Sequence, residues 1–189
     1  MSLIDQLSDY HPCNSQEASD LLLILSCLKN RPEVFSRSDR LCHMTASAWT
    51  VNPSRSKVLL AYHNIYHSWA WLGGHADGNE DLLHVAMCEV QEESGIRSVS
   101  PIIPVPFSVE VLTVNGHFRH GEYVSSHLHL NVTYLLEADD SIPPAENPDE
   151  NSGVSWFSPA DAVSASAEPW FRNAIYPKLN QKMYSAINI

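Results

Sequence analysis

Positive charge is scarce in this chain: 11 Lys and Arg stand against 22 Asp and Glu over 189 residues, a formal net charge of −11. Nucleic-acid surfaces rest on an excess of basic side chains, so this balance argues against a DNA or RNA groove. It leaves a small anionic ligand open, because metal ions can supply positive charge locally. Cysteine is sparse as well. Cys13, Cys27, Cys42 and Cys88 have no CxxC spacing and read as reduced thiols rather than a zinc set. Long apolar runs are missing: Leu21 to Leu25 falls far short of the roughly 20 residues of a membrane span. That run follows Glu17 and Asp20 with no basic stretch ahead of it, so no signal peptide is expected and the expected location is the cytoplasm. No internal repeat is visible, and a homodimer stays open as an assembly.

What is present suits one compact catalytic domain, since 44% hydrophobic residues are ample for a core in a chain of this length. Ser15 to Leu28 has helical spacing of Ala18, Leu21, Leu22, Leu25 and Leu28, with Asn14 or Ser15 as the cap. Thr45 to Val51 and Lys57 to His63 read as a hairpin about the turn Asn52 to Arg55. Val99 to Ile103, Phe107 to Val114, His127 to Leu136 and Val154 to Phe157 read as further strands. Asn115 to Ser126 and Asp139 to Ser152 read as loops, Ser158 starts a helix, and Trp170 to Ile187 is the last one. Strands on both sides of a central helix predict an α/β fold with a mixed sheet and helices near both ends.

The most informative segment is Gly73 to Ile96, GGHADGNEDLLHVAMCEVQEESGI. If the stretch after Asp81 is helical, Glu89, Glu92 and Glu93 fall at i, i+3 and i+4 and their carboxylates share one stripe. Their mutual repulsion, a few tenths of a kcal/mol per pair or roughly so, is relieved by a cation between them. A hard divalent ion takes such ligands. A solvated acidic face is the plainer alternative for three glutamates alone. Leu82, Leu83, Ala86 and Val90 form an apolar stripe that docks the helix, while Asp81 can cap its start and Gly95 its end.

The spacing of Gly74, Glu80, Glu89, Val90, Glu92, Glu93, Gly95 and Ile96 resembles the Nudix box, with one defining position changed: Cys88 stands where that family has arginine. The segments His43 to Trp49, Leu72 to Gly78, His127 to His129 and Val154 to Phe157 also look like part of this family, so the resemblance covers about residues 40 to 165. It implies a Nudix-like α/β/α sandwich with a mixed β-sheet. It divides the chain into a helical extension at 1–38, a hydrolase domain at 39–165 and a C-terminal helix at 166–189. It also implies that Gly74 offers a carbonyl to a metal, that Glu89, Glu92 and Glu93 bind Mg2+ or Mn2+, and that Glu80 holds loop and helix together. The activity implied is cleavage of a pyrophosphate linkage in a nucleoside diphosphate linked to another moiety, by attack of water on phosphorus. Nucleoside triphosphates, dinucleotides, sugar nucleotides and capped RNA are all substrates within the family, so the substrate stays open.

Cys88 carries the alternative, a nucleotide-binding or regulatory protein with weakened turnover, because a thiol cannot replace the planar charged fork of arginine. For the general base, Glu110, Glu146, Asp149 and Glu150 are candidates outside the box, with Glu150 preferred for its place just ahead of the Val154 strand. Among ten histidines, His63, His67, His75, His84, His117, His120, His127 and His129 could in part line a phosphate or metal site. His75 is the best of them, beside the box glycines, and His127 and His129 share a strand face; two histidines and a loop do not amount to a zinc site. Trp69, Trp71 and Phe107 could stack on a base, though core packing is the commoner role.

Overall fold

Hydrogen-bonding side chains fix where the helices start. Ser2 and Asp5 form a reciprocal capping box at the head of α1 (Leu3–Ser8). Asn14 caps α2 (Ser15–Asn30) by accepting the Glu17 N–H at 2.9 Å, and Glu17 in return accepts from the Cys13 N–H. The computed structural model describes residues 1–65, 67–119, 121–148 and 150–186. Along the chain follow β1 (Cys42–Val51), β2 (Val58–His63), β3 (Ser68–Ala70), β4 (Leu72–His75) and α3 (Leu82–Ser94). Then come β5 (Val99–Pro101), β6 (Ser108–Val114), β7 (His117–Arg119), β8 (Glu122–Val124), β9 (His127–Ala138), β10 (Asn151–Phe157), α4 (Pro159–Ala165) and α5 (Tyr176–Ala186). The eight-stranded sheet has the order β10-β2-β1-β9-β5, with β3 paired to β2, β4 to β1 and β6 to β9. The expected α/β class, with helices toward both ends, is what this element order shows. Among the described residues, no helix is long and apolar enough to cross a membrane.

The chain groups into two compact units. The first comprises Met1–Ser47, Gly73–Ala86 and Pro104–Tyr134. In it β6 runs antiparallel to β9 from Ser108 opposite Thr133 to Val114 opposite His127, and α2 packs on β6. Residues on alternate sides of these strands are buried, which is why both Val109 and Glu110, and both Leu130 and Asn131, lie inside. β7 and β8 pair where a loop was expected. Phe118 faces Tyr123 directly across the pair with ring centroids 5.5 Å apart, a cross-strand aromatic contact that holds so short a ribbon.

In the second unit, Ala48–Leu72, Met87–Ile103 and Leu135–Ile189, β2 pairs antiparallel with β3 and β10 and meets β1 at Val51 opposite Val58. Asn52 makes the β1 to β2 turn by accepting from the Ser56 and Lys57 N–H groups at 2.9 Å each. Trp49 and Trp71 each pack at a tilt on Tyr176 here, and the Tyr176 hydroxyl accepts the main-chain N–H of Trp71 at 2.9 Å. The expected final helix is interrupted by a π-helical turn at Phe171–Ile175 before α5. Pro177 supplies the reason: it has no N–H to continue an α ladder through that point. Ile187 lies outside the described residues.

Candidate active site

The box helix α3 is positioned at both ends. Asp81 Oδ1 accepts the His84 N–H at 3.1 Å, so the expected acidic cap is formed. At the other end Gly95 takes φ +70°, a left-handed conformation that suits glycine, and its N–H donates to the Gln91 carbonyl at 2.9 Å. Two further carbonyls of this last turn are satisfied within the second unit. Asn151 Nδ2 donates to the Glu93 carbonyl at 3.0 Å, and the Ala145 N–H donates to that of Ser94 at 2.8 Å. The segment expected as a loop over 139–152 is therefore fastened to the helix that carries the carboxylates, and Asn151 opens β10.

Of the docking stripe, Leu82, Ala86 and Val90 are buried and Leu83 is partly so. The acidic residues grade from exposed Glu92 through half-buried Glu89 to Glu93 at 7% exposure. The chemistry of this donor set, three carboxylates on adjacent turns of one helix, fits a hard divalent cation. Cys88 is half-buried on the same helix.

In the first unit the box strand β4 lies tight on β1. A Cβ at Gly73 would come within 2.4 Å of the Ala46 carbonyl oxygen and 2.7 Å of Ser47 Cα, so only glycine fits there. Leu72 to His75 is consequently strand, where a loop from Gly73 was expected. The turn that follows is pinned by the Gly78 N–H to the Phe35 carbonyl, 2.8 Å, and by an Arg37 to Asp77 ion pair. Gly74 is half-buried, and Glu80 is exposed on the rim of a cavity of about 320 Å³ that Asp81, Leu82 and Tyr134 also line.

The histidines give the largest departure from expectation. His75 and His127 both lie beside His129, with ring centroids 4.8 and 5.1 Å away, and a fourth, His43 on β1, joins them. Ring centroids of His43 lie 5.1 Å from His75, 4.9 Å from His127 and 5.1 Å from His129. Burial holds the His129 pKa down to about 2, helped by the neighbouring His75, His43 and His127, and burial lowers that of His43 as well. Both rings are therefore neutral at pH 7. The signal that could have found His43 is the polar row His43, Thr45, Ser47, alternating with Met44, Ala46 and Ala48 along β1. It matches the row His127, His129, Asn131, Thr133 on β9, and Thr45 and Ser47 both donate to Asn131 Oδ1.

Other candidates fall elsewhere. Glu110 is fully buried, accepting from Asn131 Nδ2 at 3.0 Å, Thr133 Oγ1 at 2.9 Å and Ser108 Oγ; the same hydroxyl reaches Glu17. It is a structural member of this polar row. Glu146 and Glu150 are exposed, with Glu150 accepting weakly from Asn147 Nδ2 at 3.4 Å. Asp149 and His120 lie outside the described residues. Trp69 packs on Tyr62 and Phe157, and Phe107 is buried, which are core roles.

The comparisons agree with this layout. A family model described as the NUDIX domain matches residues 42–179. Among solved structures, a C. elegans Ap4A hydrolase is 16% identical, with 77% of this chain and 97% of that chain covered and a TM-score of 0.52. A NUDIX-family hydrolase from Clostridium perfringens is 20% identical over 76% of this chain and 97% of that one, also at 0.52. The E. coli dihydroneopterin triphosphate pyrophosphohydrolase is 16% identical over 73% and 95%, at 0.53. At these identities the likeness is one of fold. A search of curated protein sequences finds no match. Because the family model takes in most of the chain, and the box helix is capped and docked as its spacing requires, the chain belongs to the Nudix hydrolase family.

Proposed function

We propose that the chain is a magnesium- or manganese-dependent hydrolase that cleaves a pyrophosphate linkage in a nucleoside diphosphate linked to another moiety, by attack of water on phosphorus. The observation that carries this reading is the row Glu89, Glu92 and Glu93 on a helix whose end is held by Asn151 and Ala145. These glutamates are the metal ligands in the proposal, joined by the Gly74 carbonyl as the family resemblance implies. A bound divalent ion supplies positive charge against the diphosphate and makes water a better nucleophile. Glu93 is buried and its main-chain carbonyl is held by Asn151, while Glu89 is half-buried and Glu92 exposed, so the row runs from the interior to the surface. A box carboxylate, or Glu150 just ahead of β10, takes the proton from the attacking water. Glu80 keeps the turn after β4 in place. The substrate is a small-molecule nucleotide, the compartment is the cytoplasm, and no DNA surface is involved.

Cys88 favours a second reading, a Nudix-fold nucleotide-binding or regulatory protein with weakened turnover. A panel of nucleoside diphosphate derivatives, assayed with magnesium and with manganese, separates the two. Hydrolysis of any member favours the enzyme; binding of one with hydrolysis of none favours the second reading.

A further inference from the structure

We infer that His43, His75 and His129 form a second metal site, separate in chemistry from the box carboxylates, that takes one transition-metal ion of the zinc class. One ring nitrogen from each of the three lies within 4.8 Å of the others. In a tetrahedral zinc site with Zn–N of about 2.0–2.1 Å, ligand nitrogens stand roughly 3.4 Å apart, so closing the set takes side-chain movements of about 1 Å. The three residues sit on β1, at the end of β4 and on β9, all within the first unit, so an ion there would tie three strands together.

The proton inventory supports a cation over a plain packed cluster. His43 Nδ1 faces the Asp39 carbonyl at 3.0 Å. A carbonyl only accepts, so Nδ1 carries the hydrogen and Nε2 holds a bare lone pair. That Nε2 is buried and has no hydrogen-bond partner. A native fold rarely leaves a buried nitrogen in that condition unless something else occupies its lone pair. Donation of the distal N–H to a main-chain carbonyl is also the arrangement that orients a metal-binding imidazole. His127 repeats it, with Nδ1 2.8 Å from the Ser125 carbonyl, and its Nε2 lies 3.3 Å from His129 Nε2, holding that ring from outside the three. The set has no oxygen ligand, which disfavours magnesium, whereas imidazole suits zinc and its neighbours in the first transition row. This assignment takes the place of a phosphate-contact role for His75, His127 and His129. It stands or falls independently of the carboxylate site.

The test uses the 189-residue chain carrying Glu89→Gln, Glu92→Gln and Glu93→Gln together, stripped with chelator and dialysed against zinc. One zinc per chain is expected, unaffected by millimolar magnesium and retained after His11→Ala, an exposed histidine far along the sequence from the set. His43→Ala, His75→Ala and His129→Ala, each added singly, should weaken zinc binding by at least about 100-fold, the upper end of what loss of a supporting partner alone costs. X-ray absorption on the zinc-loaded wild-type chain requires no histidine variant to fold and should show imidazole scattering from three histidines. Absence of tight zinc in the carboxylate-free protein would overturn the inference. So would zinc binding that survives the histidine substitutions, or an absorption spectrum with oxygen ligands alone.

Discussion

Asn151 Nδ2 donates to the main-chain carbonyl of Glu93 at 3.0 Å, and both residues are buried. The contact satisfies one of the last carbonyls of α3 from a residue 58 positions on, and it fixes the end of the helix on which Glu89, Glu92 and Glu93 stand. Asn151→Ala removes the donor and leaves a buried carbonyl unpaired, at a cost of about 1–3 kcal/mol. Urea unfolding should show a lowered midpoint with an unchanged slope. An unchanged midpoint would mean that the helix end is held without Asn151.

Gly73 is the position where the first unit tolerates least. A methyl group there would overlap the Ala46 carbonyl and Ser47 Cα, which are backbone atoms and cannot swing away as a flexible side chain would. Gly73→Ala is expected to lose about 1–3 kcal/mol, in the range of an overpacked interior. Gly78, whose φ is +90° with open space around the Cβ position, is the control: alanine there meets backbone strain but no clash. Equal stability of the Gly73→Ala protein and the native one in thermal melts would contradict the close approach of β4 to β1.

Cys88→Arg restores the charged fork of the family pattern on α3. It is expected to tighten magnesium or manganese binding and raise turnover, because an arginine can pair with a box glutamate and hold it. Isothermal titration with each metal, together with initial rates, reads both effects. No change in either would remove Cys88 as the reason for a weakened site.

The pair Arg31 and Asp39 sets an acid-sensitive contribution to stability. Two parallel hydrogen bonds, Nε to Oδ2 at 2.5 Å and Nη2 to Oδ1 at 2.7 Å, hold the buried Asp39 carboxyl at a pKa of about 2. A carboxyl lowered on folding stabilises fully above its unfolded pKa, about 4, and the contribution is lost as pH falls from there through about 2. Stability measured from pH 7 to pH 2 should therefore decline over the lower part of that range. In Arg31→Gln the starting stability should be lower and this part of the decline shallower. Identical pH profiles for the two proteins would refute it.

The box was the most legible part of the sequence because its order is carried within 23 residues, and local spacing is enough to place Asp81 at one end of a helix and Gly95 at the other. What the sequence concealed depends on partners distant along the chain. Asn151 looked like one more polar residue in an acidic loop, and nothing nearby marks it as the partner of Glu93. His43 stood 32 residues before His75 and 86 before His129, and only the pairing of strands β1, β4 and β9 brings the three together. The β7 to β8 ribbon escaped because its aromatic pair, Phe118 and Tyr123, is meaningful only once the register is known.

Among the glutamates of α3 proposed to carry a metal-dependent hydrolysis, Glu93 is the one buried in the fold. The decisive measurement is the initial rate of the native chain and of Glu93→Gln on whichever nucleoside diphosphate derivative the native chain hydrolyses, with magnesium or manganese and with chelator, alongside far-UV circular dichroism. The native rate should disappear with chelator, and Glu93→Gln should keep its fold while losing about 10²- to 10⁴-fold in rate, the scale on which positioned catalytic groups act. A folded Glu93→Gln protein that retains the native rate, or a native rate indifferent to chelator, would contradict the proposal.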